Sequence, residues 1–146
     1  MKKEKFKMKI FVIKGKENSG KTNAIRNIFQ TIIKHENIKH ENGKVLFYEP
    51  KGADYCDFIT AIELKGKKIV INSLGDCVSY VKNGKSKAEK ENADIFITAW
   101  TSKLDKTQDL KEILPDSVIC EDYKFPEEKF LSEQADWISK FLSNLV

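Results

Sequence analysis

Apolar residues along the chain change their spacing several times, and each change marks the start of a new element. Residues 5–14, KFKMKIFVIK, alternate lysine with Phe6, Met8 and Ile10 and then run apolar to Ile13. This pattern predicts a strand entering a sheet covered on both faces. The strand ends at Gly15, and from Thr22 the spacing turns helical, with Ile25, Ile28, Phe29, Ile32 and Ile33 on one stripe. Asn42-Gly43 signals a turn before Val45 to Glu49, a short strand stopped by Pro50. Asp57 to Leu64 and Lys68 to Ser73 are strand-like runs joined by Lys65-Gly66-Lys67, an antiparallel hairpin. A short helix from Asp76 to about Lys82 is expected to break at Asn83-Gly84, and Ser86 with Glu89 has the pattern of a capping box for a second brief helix. Asp94 to Trp100 is the next strand, followed by a helix near Thr107 to Leu114 stopped by Pro115, and a strand at Ser117 to Cys120. A last helix is expected from Pro126, with Phe130, Trp137, Ile138, Phe141, Leu142 and Leu145 on its apolar stripe.

Strands alternating with helices predict an α/β fold with a mostly parallel sheet, helices on both faces and one antiparallel hairpin. With 146 residues the chain has room for one domain, spanning 1–146, and is too short for a barrel of eight strand–helix units. Apolar residues are 40% and charged residues 33% of the chain, ordinary values for a soluble protein. No apolar run approaches the roughly 18 residues of a membrane span.

The net charge of +4 is not spread over this body. Lys2, Lys3, Lys5, Lys7 and Lys9 against Glu4 account for all of it, and the remainder sums to zero. A broad nucleic-acid-binding face is therefore not expected, although a nucleic-acid or membrane-surface binder acting through the basic N-terminus stays open as an alternative. The alternating lysines also lack the apolar stretch of a secretion signal, so a cytoplasmic location is expected. Cys56, Cys77 and Cys120 are odd in number and widely spaced, which fits reduced structural thiols better than a disulfide frame or zinc site. The basic residues comprise 25 lysines and one arginine, Arg26. Lysine is a point charge and cannot reproduce the bidentate grip of arginine on phosphate.

Between the first strand and the first helix stands Gly15-Lys16-Glu17-Asn18-Ser19-Gly20-Lys21-Thr22, a complete GxxxxGK[ST]. At this chain's residue frequencies the pattern arises by chance about once in two hundred chains, and its strand-then-helix setting lowers that further. Its chemistry is readable position by position. Glycines let the backbone wrap an anion so that successive N–H groups point inward, and the following helix N-terminus, at Asn23, adds unpaired N–H groups and a positive dipole end. Lys21 supplies a full charge toward β- and γ-phosphates, and the Thr22 hydroxyl is a ligand for Mg²⁺.

On these residues the chain resembles the P-loop nucleoside triphosphatase superfamily, specifically over residues 8–33 and only in order of elements beyond them. The resemblance implies a three-layer fold, a purine nucleoside triphosphate (ATP, or GTP) as ligand, and Mg²⁺ as cofactor. In that superfamily an apolar strand beside the P-loop strand ends in an acidic residue that holds the metal, and in Ras-like GTPases it ends DxxG. Here Asn72-Ser73-Leu74-Gly75 has that spacing with an amide in place of the carboxylate, and the nearest carboxylate is Asp76. Asp76 is thus a candidate metal ligand and water-orienting residue, or else a helix N-cap. Gly75 is a candidate γ-phosphate donor through its N–H.

The guanine-reading [NT]KxD motif of the GTPases has only Ser102-Lys103-Leu104-Asp105 as a counterpart, so ATP is favoured over GTP. Trp100 reads as a base-stacking platform or, more simply, a core residue. Glu49, Asp54 and Asp57 cluster near the end of the second strand, where small P-loop kinases keep an acceptor-activating carboxylate; a solvated loop is the plainer reading. The expectation is a slow, Mg-dependent NTPase whose missing arginine comes from a protein partner, with a small-molecule or nucleotide phosphotransferase as the alternative. Arginine fingers contribute about 10³ to 10⁵ in rate where they are used.

Overall fold

The computed structural model of the chain describes residues 8–16, 25, 26, 28–30, 44–51, 57–64 and 66–120. They form an α/β structure around a six-stranded mixed sheet. The strands are β1 (Lys9–Gly15), β2 (Lys44–Lys51), β3 (Asp57–Leu64), β4 (Lys67–Asn72), β5 (Ile95–Thr101) and β6 (Val118–Cys120), in the spatial order β2-β3-β4-β5-β1-β6. β4, β5, β1 and β6 run parallel, whereas β2–β3 and β3–β4 are antiparallel. The expected hairpin is present, with Gly66 at φ +76° in its turn, a conformation glycine adopts without strain.

The strand ending at Asn72 does not lie beside the strand ending at Gly15, as the sequence suggested. β5 separates them. All seven β5 residues are buried, whereas β4 opens with an exposed Lys67, so the most continuously buried strand takes the position between the other two.

Alternation sorts the strand residues onto two faces. One carries Ile10, Val12, Ile59, Ala61, Val70 and Phe96, and packs against Val81 and Ala88 of the helix α1 (Val78–Lys90). The other carries Phe58, whose ring lies 5.5 Å from that of Phe29 and stacks on Tyr48 at 5.4 Å. Phe29 belongs to the helical residues 25, 26 and 28–30, so the helix expected after Thr22 is present at its described positions.

Three sequence expectations are corrected. First, Val78–Lys90 is one helix, not two brief ones broken at Asn83-Gly84. Gly84 is buried, and a Cβ there would stand 3.1 Å from both Asn72 Cβ and Phe96 Cζ, so the glycine lets the helix approach the sheet instead of ending it. Ser86 and Glu89 consequently lie inside the helix and cap nothing. The helix ends in a Schellman arrangement: Asn92 at φ 56°, its N–H donating to Glu89 O and the Ala93 N–H to Ala88 O.

Second, β2 continues through Pro50 to Lys51. Phe58, which faces Pro50, donates its N–H to Ser73 Oγ (2.9 Å) and accepts from the Ser73 N–H (3.0 Å). Both groups are turned toward β4, so the pair with Pro50 requires no N–H from the proline, and an edge strand tolerates it. Third, the helix expected near Thr107 to Leu114 is a 3₁₀ turn, Ser102–Lys106, followed by the single-turn helix α2 (Leu110–Ile113), whose cap Asp109 accepts from the Lys111 N–H at 3.0 Å. The last helix, from Pro126, lies outside the described residues. Among the described residues no helix is long and apolar enough to cross a membrane.

Candidate functional site

Parallel strands bring their carboxyl ends to one edge of the sheet, where α/β proteins place their ligands. At that edge stand Gly15 of β1, Asn72 of β4 and Thr101 of β5, and because β3 is antiparallel its first residue, Asp57, joins them together with Lys51, the last of β2. Of the phosphate-loop candidates, Gly15 is buried at the end of β1 and Lys16 is exposed beyond it. Glu17, Asn18, Ser19, Gly20, Lys21, Thr22 and Asn23 lie outside the described residues.

Asp76 is tied to this edge through β5. Its Oδ1 accepts the Thr101 hydroxyl at 2.6 Å, and Thr101 is the register partner of Gly15. The Thr101 N–H also donates to Gly75 O at 2.9 Å, so the loop after β4 is held by a two-point clasp. Asp76 does not cap α1; the N-cap position is Cys77, with no side-chain hydrogen bond to the helix. Cys77 is a free, exposed thiol. Gly75 is buried against β5, and a Cβ there would fall 2.5 Å from the backbone carbon of Ala99, so close packing alone requires a glycine.

Asn72 is wholly buried, and its amide serves the loop and not a ligand. Its Nδ2 donates to Leu74 O (2.9 Å) and Thr98 Oγ1 (3.0 Å), and its Oδ1 accepts from the Leu74 N–H (3.1 Å). A carboxylate at this position would lose both donated bonds, which accounts for the amide at the first position of the DxxG-like spacing.

Asp57 is oriented by its neighbour across the hairpin, since the Ser73 hydroxyl donates to Asp57 Oδ1 at 2.9 Å. Glu49 stands farther back on β2, where Lys87 of α1 donates to its carboxylate and Lys51 approaches to 3.5 Å. The Lys87 hydrogen bond is the main cause that holds the Glu49 carboxyl below its usual range; burial opposes it, and the charges of Lys87 and Lys51 add to the lowering. Asp54 lies outside the described residues.

Asp105, last of the Ser102-Lys103-Leu104-Asp105 segment, accepts from Trp100 Nε1 at 3.0 Å and pairs with Lys14 at 2.5 Å. Both of these bonds stay inside the protein. Trp100 is fully buried in the core beside Val12 and Phe96. The Arg26 guanidinium lies 5.1 Å from the Phe58 ring centroid, a cation–π contact on the opposite face of the sheet from α1.

Sequence reasoning missed the contact between Thr101 and Asp76, because strand register carries no local signal. It also missed the lysines that α1 presents toward β2, because the helix was divided at Gly84. Read as one helix, Tyr80, Asn83, Lys87 and Lys90 fall at three- and four-residue spacings on one stripe. Comparisons of the chain with protein-family models, with curated proteins and with solved structures find no significant match.

Proposed function

We propose that the chain is a P-loop nucleotide-binding protein with the three-layer fold of that superfamily. Its ligand is a purine nucleoside triphosphate, ATP favoured, which it hydrolyses slowly with Mg²⁺. The observation that carries the reading is the complete motif Gly15 to Thr22, preceded by a strand that ends at Gly15 and followed by helical residues at 25, 26 and 28–30. In the proposed site the backbone N–H groups of residues 15–23 cradle the phosphates, and Lys21 neutralises the β- and γ-oxygens.

Thr22 and Asp76 would hold Mg²⁺. The donors are oxygens, as a hard cation requires, and Asp76 has one oxygen engaged by Thr101 while its side chain reaches solvent at the sheet edge. When bound, the ion supplies charge neutralisation across the β- and γ-phosphates. Asp76 orients the attacking water, and Thr101 fixes the Asp76 rotamer. The engagement of Asp105 by Trp100 and Lys14 supports the absence of guanine selection, since its carboxylate is held within the protein. A protein partner would supply the arginine that Arg26, lying over Phe58, does not.

Calorimetric titration of ATP, GTP, ADP and GDP with Mg²⁺, repeated on Lys21→Ala, tests the reading. Binding by the native chain and its loss in the variant are expected; equal binding by both would sink it. Phosphoryl transfer to a small molecule is the second reading, favoured by the fixed orientation of Asp57 at the same edge. Product analysis after incubation with Mg-ATP and a panel of hydroxyl-bearing metabolites separates the two.

A further inference from the structure

Between α1 and the hairpin strands lies a groove of about 560 Å³ whose lining overlaps the proposed nucleotide site only at Asp76. Its apolar lining includes Ile59 and Leu74, and Tyr80 and Asn83 contribute from the helix. The groove differs in charge at its two ends. At the end that opens on the carboxyl edge of the strands stand Asp57 and Asp76, each fixed by a neighbouring hydroxyl, Ser73 and Thr101 respectively. Farther along α1 stand Lys87 and Lys90, and the Lys51 ammonium reaches the same Glu49 carboxylate that Lys87 binds. Lys87 and Lys51 share the one Glu49 carboxylate and Lys90 lines the same stretch of the groove, so lysines outnumber acids there, whereas Asp57 and Asp76 line the edge end.

We infer that this groove is a second ligand site, for a small molecule with an anionic group at one end and a hydrogen-bond-donating ammonium or hydroxyl at the other. The anionic end, a phosphate or a carboxylate, lies among Lys51, Lys87 and Lys90, where charge-assisted hydrogen bonds are stronger than neutral ones. The donor end meets Asp57 and Asp76. The carbons between them lie along Ile59 and Leu74, and opposite charges at the two ends fix the direction in which the molecule enters. The helix residues that line the groove run from Tyr80 to Lys90, a rise on the order of 15 Å, which bounds the length of molecule the groove takes. The groove shares Asp76 with the proposed Mg²⁺ site but takes nothing from the Gly15 to Thr22 loop, so its ligand is testable without nucleotide.

The test uses the full chain and two series of straight-chain probes of increasing length, ω-aminoalkyl phosphates and ω-amino carboxylic acids, titrated by calorimetry. Alkyl phosphates, alkyl carboxylates and alkylamines of matched length are the one-ended controls. The expected result is that the best two-ended probe, of a length up to about 15 Å, binds at least about tenfold more tightly than either control. The phosphate and carboxylate series decide between the two kinds of anion.

Lys90→Glu, on an exposed helix position, is expected to weaken the two-ended probe about tenfold or more. Asp57→Asn keeps the oxygen that accepts from Ser73 and is expected to erase the preference for the amine while leaving alkyl phosphate binding in place. Lys21→Ala is expected to leave probe binding unchanged. The inference is overturned if no probe binds, if one- and two-ended probes bind equally, or if Lys21→Ala abolishes binding, which would put the anion on the phosphate loop.

Discussion

The Thr101 hydroxyl donates to Asp76 at 2.6 Å from the position on β5 that pairs with Gly15 on β1. A single side chain thus connects the loop after β4 to the end of the strand that leads into the phosphate motif. Thr101→Val keeps the shape of this buried residue and removes the donor. The expected cost is about 1 to 2 kcal/mol in urea unfolding, together with a weaker dependence of nucleotide affinity on Mg²⁺. An unchanged unfolding midpoint would show that the hydroxyl does not hold the loop.

Asn72→Asp restores the carboxylate that the DxxG-like spacing lacks, yet it is expected to destabilise. The residue is buried, and its amide donates to Leu74 O and Thr98 Oγ1. A carboxylate would lose both bonds and face the Leu74 carbonyl as an acceptor. The expected loss is about 2 to 4 kcal/mol, with no gain in Mg²⁺ affinity. Urea unfolding and a metal titration of the variant check both parts.

Gly84→Ala sets helix propensity against packing. Alanine in a helix interior is favoured by about 1 kcal/mol over glycine. Its methyl group would stand 3.1 Å from Asn72, which is held on both sides by hydrogen bonds and cannot retreat, and from the buried Phe96 ring. Packing should win, and a net destabilisation of about 1 to 2 kcal/mol is expected in chemical denaturation. A more stable variant would mean that the helix can lift from the sheet at no cost.

Glu49 links α1 to β2 through Lys87, and its lowered pKa gives that link a pH dependence. A carboxyl whose pKa is lower folded than unfolded stabilises the fold above the unfolded value, about 4.3, and loses that contribution as the pH falls through the folded value. The pair is near the surface, so the effect is small. Glu49→Gln should be less stable than the native chain by at most about 0.5 kcal/mol at neutral pH, and the difference should shrink toward pH 3. Paired urea titrations at the two pH values test this.

The strands were largely legible because their apolar patterns are local. β1, β5 and the β3–β4 hairpin each announce themselves by alternation or by an unbroken apolar run. Asn83-Gly84 misled for a physical reason: the same glycine that breaks an isolated helix is the residue that allows a packed one to approach Asn72 and Phe96. Pro50 misled in a similar way, since a missing N–H matters only where a partner strand requires one. The phosphate motif and Asp76 could be picked out from spacing. The Thr101 contact, the fixing of Asp57 by Ser73 and the charge difference along the groove all depend on which strands become neighbours, and no short stretch of sequence encodes that.

The insertion of β5 beside β1 also sets an order of assembly. Hairpin contacts join β2, β3 and β4 across short separations, but Lys9 must wait for Ile95, and Phe11 for Val118. Long-range parallel pairing is slow because the loop must close before the contacts compensate for it. The first of the described strands is therefore expected to be among the last to dock, and the edge holding Gly15 forms only after β5 has been made. A nascent chain truncated before β5 would have its hairpin but not the edge at which Gly15 meets Thr101.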